Sequence, residues 1–421
     1  MRRISANLIM VMAATLGFAG WAQEPESPRE VVIKVNGMFC PFCTAGIEKR
    51  LKMLDETSEV RTDLAGGEAI VTLKPGAEFV EEHFADAIDR AGFSHSGIEL
   101  RDARLGAARA EPSALGTVSA GNVTHGKPAG WRYVRSIGGA GEDAGQFDQP
   151  MGIAFAQEGW FVVSDAGNAR AQQFHPDGQP WRQWSVSGDG QSELRKPVGV
   201  AVGPDGDIWV TDYEADTIHH YGSAGEPRGV FGRSGNDEGE FDAPPGVAVT
   251  ADGLLAVADF YNHRVQLVKP DGEFVRSLGG QGYSNGLNYP TRVTAAPDGR
   301  LWVADAYNYR VVVFDPLSGD IVRQFGKKGH GPGEFDVSSG IALLPGERVA
   351  VVDFMNHRVQ IWTEQGDLLG DFGEQGDGPG QFERPTGIAL SPDGRLYVVD
   401  WGNQRLQVFT EENPNGKETE R

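Results

Sequence analysis

Apolar and polar residues alternate from Arg29 to Val35, with Val31, Ile33 and Val35 on one face, which predicts a strand. Ile47, Leu51 and Leu54 then recur at helical spacing within TAGIEKRLKML. SEVRTDL and EAIVTL read as two strands joined by a turn at Gly66-Gly67. Val80, Phe84 and Ile88 mark a second helix, and SGIELR a closing strand. The order over residues 29–101 is βαββαβ, an α+β unit. In that topology three loops share one end, so Phe39–Cys43, Gly66-Gly67 and Phe93–His95 are expected as neighbours.

The period changes after residue 130. Short apolar strands ending in Asp recur at Asp165, Asp212, Asp259, Asp305, Asp353 and Asp400, with gaps of 47, 47, 46, 48 and 47 residues. Each unit runs from an apolar strand such as PVGVAV through a second strand to a D-x-x-N-x-R loop, a third strand and a fourth ending near Gly. A period in the forties with several short strands per unit predicts a β-propeller. The last unit stops after its third strand, near Phe409, whereas YVRSIGGAG at 133–141 nearly copies FVRSLGGQG at 274–282. The early strand therefore completes the sixth blade, and six four-stranded blades are expected over 131–410. Residues 102–130, rich in Ala, Gly, Ser and Pro, read as a flexible linker, and 411–421 as a polar tail.

Composition and charge narrow the function. The chain has 58 glycines and a formal net charge of −21, which argues against nucleic acid or an anionic membrane surface as the main partner. Arg2 and Arg3 precede an apolar run from Leu8 to Gly20, and Gly20-Trp21-Ala22 fits signal cleavage after Ala22. The run is shorter than the roughly 20 residues a spanning helix needs. The expectation is a signal peptide over 1–22, no membrane span after its removal, and a periplasmic or secreted protein.

Cys40 and Cys43 are the only cysteines, in GMFCPFC. A bond between them would close a tiny loop and constrain the unfolded chain little, so a structural staple is the weakest reading. Cys43 falls near a helix N-terminus, where free N–H groups and the helix dipole favour thiolate. Two thiolates on one loop make a soft site, suited to Cu(I) or another thiophilic ion. These residues resemble the heavy-metal-associated (HMA) domain of copper chaperones, whose motif G-M-x-C-x-x-C reads here Gly37-Met38-Phe39-Cys40-Pro41-Phe42-Cys43; AIDRAGF at 87–93 is also similar. The resemblance implies a ferredoxin-like fold, with Cys40 and Cys43 as ligands of Cu(I), or of Hg(II) or Zn(II), and with Met38 and Phe93 as supports of the metal loop. Phe39 and Phe42 make this loop more apolar than the family's. His95 reads either as an exposed loop histidine or as a third ligand at the metal end. C-P-F-C also resembles the thioredoxin-like redox motif, but the strand order and the lack of a partner cis-proline segment argue against that family.

Residues 131–410 resemble NHL repeats, carrying D-x-x-N-x-R in five units. Asn168/Arg170, Asn262/Arg264, Asn308/Arg310, Asn356/Arg358 and Asn403/Arg405 fit, whereas Ala215 and Thr217 depart from it. Residues repeated in nearly every blade read as a loop-fixing network, so functional candidates are those that break the repeat. Five first strands carry Gly (Gly152, Gly199, Gly246, Gly340, Gly387) where the fourth has Arg292, read as an ion-pair partner or an anion clamp near the channel mouth. Tyr213, Phe260, Tyr261, Tyr307, Phe354, Met355 and Trp401 follow the blade aspartates on one face. They read as a surface for a protein partner or ligand, or as packing between blades. His175, His219, His220, His263, His330 and His357 are scattered and assemble no convincing metal trio. The expected whole is an exported adaptor that takes a metal from a donor protein, or passes it to an acceptor, through the CxxC loop while the propeller docks a partner. Its rivals are a lyase- or hydrolase-like propeller enzyme and a thiol–disulfide oxidoreductase.

Overall fold

The computed structural model describes residues 29–36, 41–63, 66–102, 123, 125, 126, 129–185, 193–280 and 286–412, and at 41–43 the backbone alone. The expected signal segment, Met38, Phe39, Cys40, most of the linker and the end of the tail lie outside the described residues.

The first unit has the expected order: β1 (Arg29–Asn36), α1 (Pro41–Lys52), β2 (Thr57–Asp63), β3 (Glu68–Leu73), α2 (Glu81–Arg90) and β4 (Ser94–Asp102). Its sheet runs β2-β3-β1-β4. The alternation read in β1 buries Val31, Ile33 and Val35 against Ile47 and Leu51 of α1 and Phe84 and Ile88 of α2. At one end, Val35 donates its N–H to the Gly67 carbonyl at 2.9 Å and pairs in register with His95. The end of β1 that leads into the CxxC segment thus lies beside both loops expected there.

Six four-stranded antiparallel sheets follow, numbered here as blades 1 to 6. Blades 1 to 5 span 150–184, 197–231, 246–279, 290–325 and 338–372. Blade 6 takes three strands from 385–411 and its outermost strand, β5 (Trp131–Ile137), from before blade 1. Ile137 pairs with Leu406 and Arg135 with Val408, so the ring closes as the repeat count requires and the third strand of blade 6 is not left as an edge.

The repeated polar residues hold the blades as expected. In blade 5, Asp353 accepts hydrogen bonds from Arg358 Nε (2.9 Å), Asn356 (2.8 Å), Gln360 (3.1 Å) and the Asp336 N–H (2.8 Å). Arg358, fully buried, also reaches Asp371 and the carbonyls of Gly331 and Glu334. A buried aspartate is tolerable because several donors replace water around it. The same pattern recurs on Asp165, Asp259, Asp305 and Asp400.

Blade 2 is built differently. Among the described residues no arginine side chain meets Asp212, which accepts four backbone N–H groups, from Arg195, Lys196, Glu214 and Ala215. Replacing Arg358 by Ala removes the buried cation shared by Asp353 and Asp371 and should cost about 3–5 kcal/mol. Thr217→Ala at the equivalent place in blade 2 should stay within about 0.5 kcal/mol. Urea unfolding of the two variants beside the parent checks the contrast.

Candidate functional site

The mouth of the propeller on the side of the D-x-x-N-x-R loops is apolar. Met151, Ala166, Val198, Tyr213, Ala243, Phe260, Ala306, Val337, Phe354 and Trp401, drawn from all six blades and the loops leading into them, form one buried cluster. Tyr261, Tyr289, Tyr307 and Met355 pack against its edge. An exposed patch of this kind needs a cover. The cover is the first unit of the same chain: Ala45 of α1 is a member of the cluster, and Phe93 packs on it and on the core of its own domain. The aromatic residues singled out in the sequence meet one another between neighbouring blades, as Tyr213 with Phe260, Phe260 with Tyr307 and Phe354 with Trp401 show, and Tyr261 also meets α1. Tyr213, Phe260, Phe354 and Trp401 are buried, and burial holds the phenols of Tyr213, Tyr261 and Tyr307 neutral by raising their pKa values.

Helix α1 is shaped for this contact. Pro41 suits its first position and Lys49, Arg50 and Lys52 its last turn. Ile47 and Leu51 face the domain's own sheet, whereas Ala45, Gly46, Lys49 and Arg50 meet the propeller. A methyl group at Gly46 would overlap the Tyr261 hydroxyl, and one at Gly92 would overlap that of Tyr289. Glycine inside a helix costs about 1 kcal/mol relative to alanine, and here the close approach explains it.

Charge fixes the orientation. Lys49, 5% exposed, pairs with Asp216 and, at 3.3 Å, with Asp242; Arg50 pairs with Asp242 and lies 5.2 Å from the centre of the Tyr261 ring. Two more pairs sit at the rim, Lys52–Glu214 at 3.2 Å and Lys196–Glu48 at 3.7 Å. Burial raises the pKa of the Asp216 carboxyl, with Lys49 and the Ala243 N–H pulling it back. Burial presses the Arg50 guanidinium down, but the Asp242 carboxylate outweighs this and its pKa is raised.

Asp216 stands in the one loop that departs from D-x-x-N-x-R, at a left-handed position (φ 60°) held in other blades by Ala169, His263, Tyr309, His357 and Gln404. Asp216, between the two departing positions Ala215 and Thr217, thus serves the docking contact. Sequence reasoning marked the break at Ala215 and Thr217 but passed over Asp216, and it also missed Tyr289, Asp242, Lys49 and Arg50. A helix-interior glycine and an aspartate at a left-handed position were the available signals.

The remaining candidates separate. Cys43 lies in the first turn of α1, two residues before Ala45, while Cys40 and Met38 lie outside the described residues. His95 is half-buried, and its Nδ1 is buried without a hydrogen-bond partner among the described residues. Among those residues no three His, Cys, Asp or Glu side chains are grouped to hold a metal ion. The propeller histidines serve local contacts: His263 Nδ1 accepts the Tyr289 N–H, His357 Nδ1 the Arg384 N–H, and His175 stacks on Trp181. Arg292 belongs to neither group; it lies on the axis below the aromatic mouth, 9% exposed, and its Nη2 donates to the Met151 carbonyl of the opposite blade at 3.3 Å.

Residues 194–221, 241–266, 287–314 and 382–409 match the NHL repeat. The chain carries NHL repeats. No curated protein matches the chain. Among solved structures, a protein of unknown function from Bacteroides thetaiotaomicron is 15% identical, with 66% of this chain and 76% of that chain covered and a TM-score of 0.53. Virginiamycin B lyase from Staphylococcus aureus is 17% identical over 66% of this chain and 99% of its own, with a TM-score of 0.48. A streptogramin B lyase is 14% identical over 68% and 99%, also at 0.48. These likenesses concern the propeller fold alone.

Asp242→Lys places a third cation against Lys49 and Arg50, and like charges so juxtaposed cost several kcal/mol. The expected result is that the backbone amides of α1 exchange with deuterium at least about tenfold faster while blade 5 is unchanged, as hydrogen exchange with mass spectrometry can read.

Proposed function

We propose that this chain is an exported soft-metal-binding protein in which an HMA-like domain is seated on an NHL propeller. Cys40 and Cys43 hold the ion, with Cu(I) favoured and Hg(II) or Zn(II) as alternatives. The observation that carries this reading is that Ala45 of α1, two residues after Cys43, belongs to the apolar cluster shared by six blades. A helix N-terminus favours thiolate, and two thiolates on one short loop suit a soft ion. His95, with an unpartnered buried Nδ1 next to the end of β1, is suited to be a third ligand. The resemblance of G-M-x-C-x-x-C to metal-transfer domains supports the same class.

In this reading the propeller's aromatic face serves the chain's own domain. A metal donor or acceptor protein reaches the thiolates either at the edge of the docked domain or by displacing it. Ligand exchange between thiolate sites passes the ion without releasing it, and the ion pairs of Lys49 and Arg50 with Asp216 and Asp242 set how readily the domain lifts.

The test is a titration of the reduced protein with Cu(I) against a competing chelator, beside Cys40→Ser/Cys43→Ser. One tightly held ion per chain, lost in the double variant with the propeller still folded, is expected. A protein with no thiol-dependent tight site for Cu(I), Hg(II) or Zn(II) overturns the reading. Acceleration of thiol–disulfide exchange by such a metal-free pair would establish the redox alternative in its place.

A further inference from the structure

The inner strands of the six blades converge on the axis and at one level leave no room for side chains. A Cβ at Gly152, Gly199, Gly340 or Gly387 would come within 2.5–2.8 Å of backbone atoms of the next blade. Hydroxyls tie neighbouring blades together at this waist: Ser164 donates to the Val198 carbonyl, Thr291 to that of Ser338, and Ser339 to that of Thr386. Blade 4 breaks the pattern with Arg292, whose side chain crosses the axis to blade 1. Its Nη2 donates to the Met151 carbonyl at 3.3 Å, and among the described residues no other hydrogen bond and no carboxylate engages the guanidinium. An arginine carries five N–H donors, so most of them are unspent. Burial alone lowers its pKa, to about 10, and it remains a cation at neutral pH. A buried charge without a partner is costly, and five blades show that glycine builds the waist without one.

Below this waist, on the face away from the docked domain, the axis opens into a cavity of about 390 Å³, walled by the second halves of all six inner strands and with Arg292 in its lining. The surface it exposes is more polar than apolar. The topology gives the reason. Each inner strand stands first in its sheet and pairs on one side only, so its other edge offers N–H and C=O groups to the axis. The apolar side chains of these strands turn aside between the blades, as Val293 and Ile341 do in two separate clusters. Among the residues that line the cavity, Arg292 alone is charged.

We infer that the axial cavity is a binding site for a small hydrophilic monoanion, a carboxylate or a flat inorganic oxyanion such as nitrate, held on the free donors of Arg292. The unpaired guanidinium calls for negative charge, and its being the one charge in the lining calls for a single one. The polar wall suits a ligand that keeps its water, with ordered waters bridging it to the strand edges, and gives no footing to an apolar tail. The planar fork of the guanidinium matches a flat oxyanion in two parallel hydrogen bonds, which explains an arginine here rather than a lysine. The site is independent of the metal reading, since the waist separates it from the face that carries α1.

The probe is isotopically labelled formate, added to the full chain and followed by the broadening of its NMR line, with nitrate, formamide and sulfate as competitors. Saturable broadening is expected, reversed by nitrate. Formamide, the neutral isostere, should compete at least about tenfold less well than nitrate, because the charged hydrogen bonds are lost. Sulfate should also compete less well, because its second charge finds no partner. The relative affinities of formate and nitrate tell an organic carboxylate from an inorganic oxyanion as the source of the ligand. Arg292→Gly, which gives blade 4 the residue of the other five, should weaken formate at least about tenfold, and Arg292→Lys, which keeps the charge and loses the fork, should weaken it less. The competitors act on the parent chain, so they decide the matter even if the glycine variant does not fold. No saturable binding of formate or nitrate, equal competition by formamide, tighter binding of sulfate, or unchanged affinity in a folded Arg292→Gly or Arg292→Lys each overturns the inference.

Discussion

Six strands can meet on one axis only if their side chains withdraw from it. That constraint explains the glycines at the waist and the hydroxyl links between blades. It also divides the molecule. On one side of the waist the loops fan outward, and their apolar side chains must be covered; on the other the strands diverge and leave a cavity. The first side is met by Ala45 and its neighbours on α1, and the second is left open with Arg292 at its head.

The covering contact is apolar at its centre and charged at one flank. Tyrosines and phenylalanines supply a broad surface with little rotamer freedom to lose, which suits a face that receives a rigid helix. The lysine of α1 adds register, because only one blade carries an aspartate at the position of Asp216, whereas Asp148 and Asp336 repeat the position of Asp242. A six-fold pseudo-symmetric mouth would otherwise accept the domain in several rotations. A buried charge pair of this sort adds little net stability, because desolvation offsets most of the attraction.

Much of this architecture was legible in the sequence because it rests on short-range signals. The period of blade aspartates, the alternation in β1 and the near copy of one strand before the first repeat gave the order of elements and the closure of the ring. The loop-fixing role of Asp353, Asn356 and Arg358 followed from repetition. What stayed hidden is the contact between Lys49 and Asp216, residues far apart in the chain with no periodic relation. A string of residues shows that Tyr261 and Trp401 share a face, but not that a helix from another domain sits on it. Gly46, which looks like a flaw in a helix, is explained only by the tyrosine opposite. The position of Arg292 was legible as an exception; that no described carboxylate pairs with it was not.

The closing strand has a consequence for how the molecule is assembled. β5 follows the linker directly and pairs with Arg405–Glu411, so the ring is sealed by segments at opposite ends of the propeller sequence. Contacts so distant in the chain form late, because loop closure must precede them. The first unit has its own core and emerges first, so it is folded and waiting while the blades are still being made. Its landing surface, contributed by all six blades, exists only once the last has joined. Docking of α1 therefore reports on completion of the ring: a chain stalled short of blade 6 presents an unseated first domain and an uncovered aromatic mouth, the features by which quality-control machinery sorts unfinished chains.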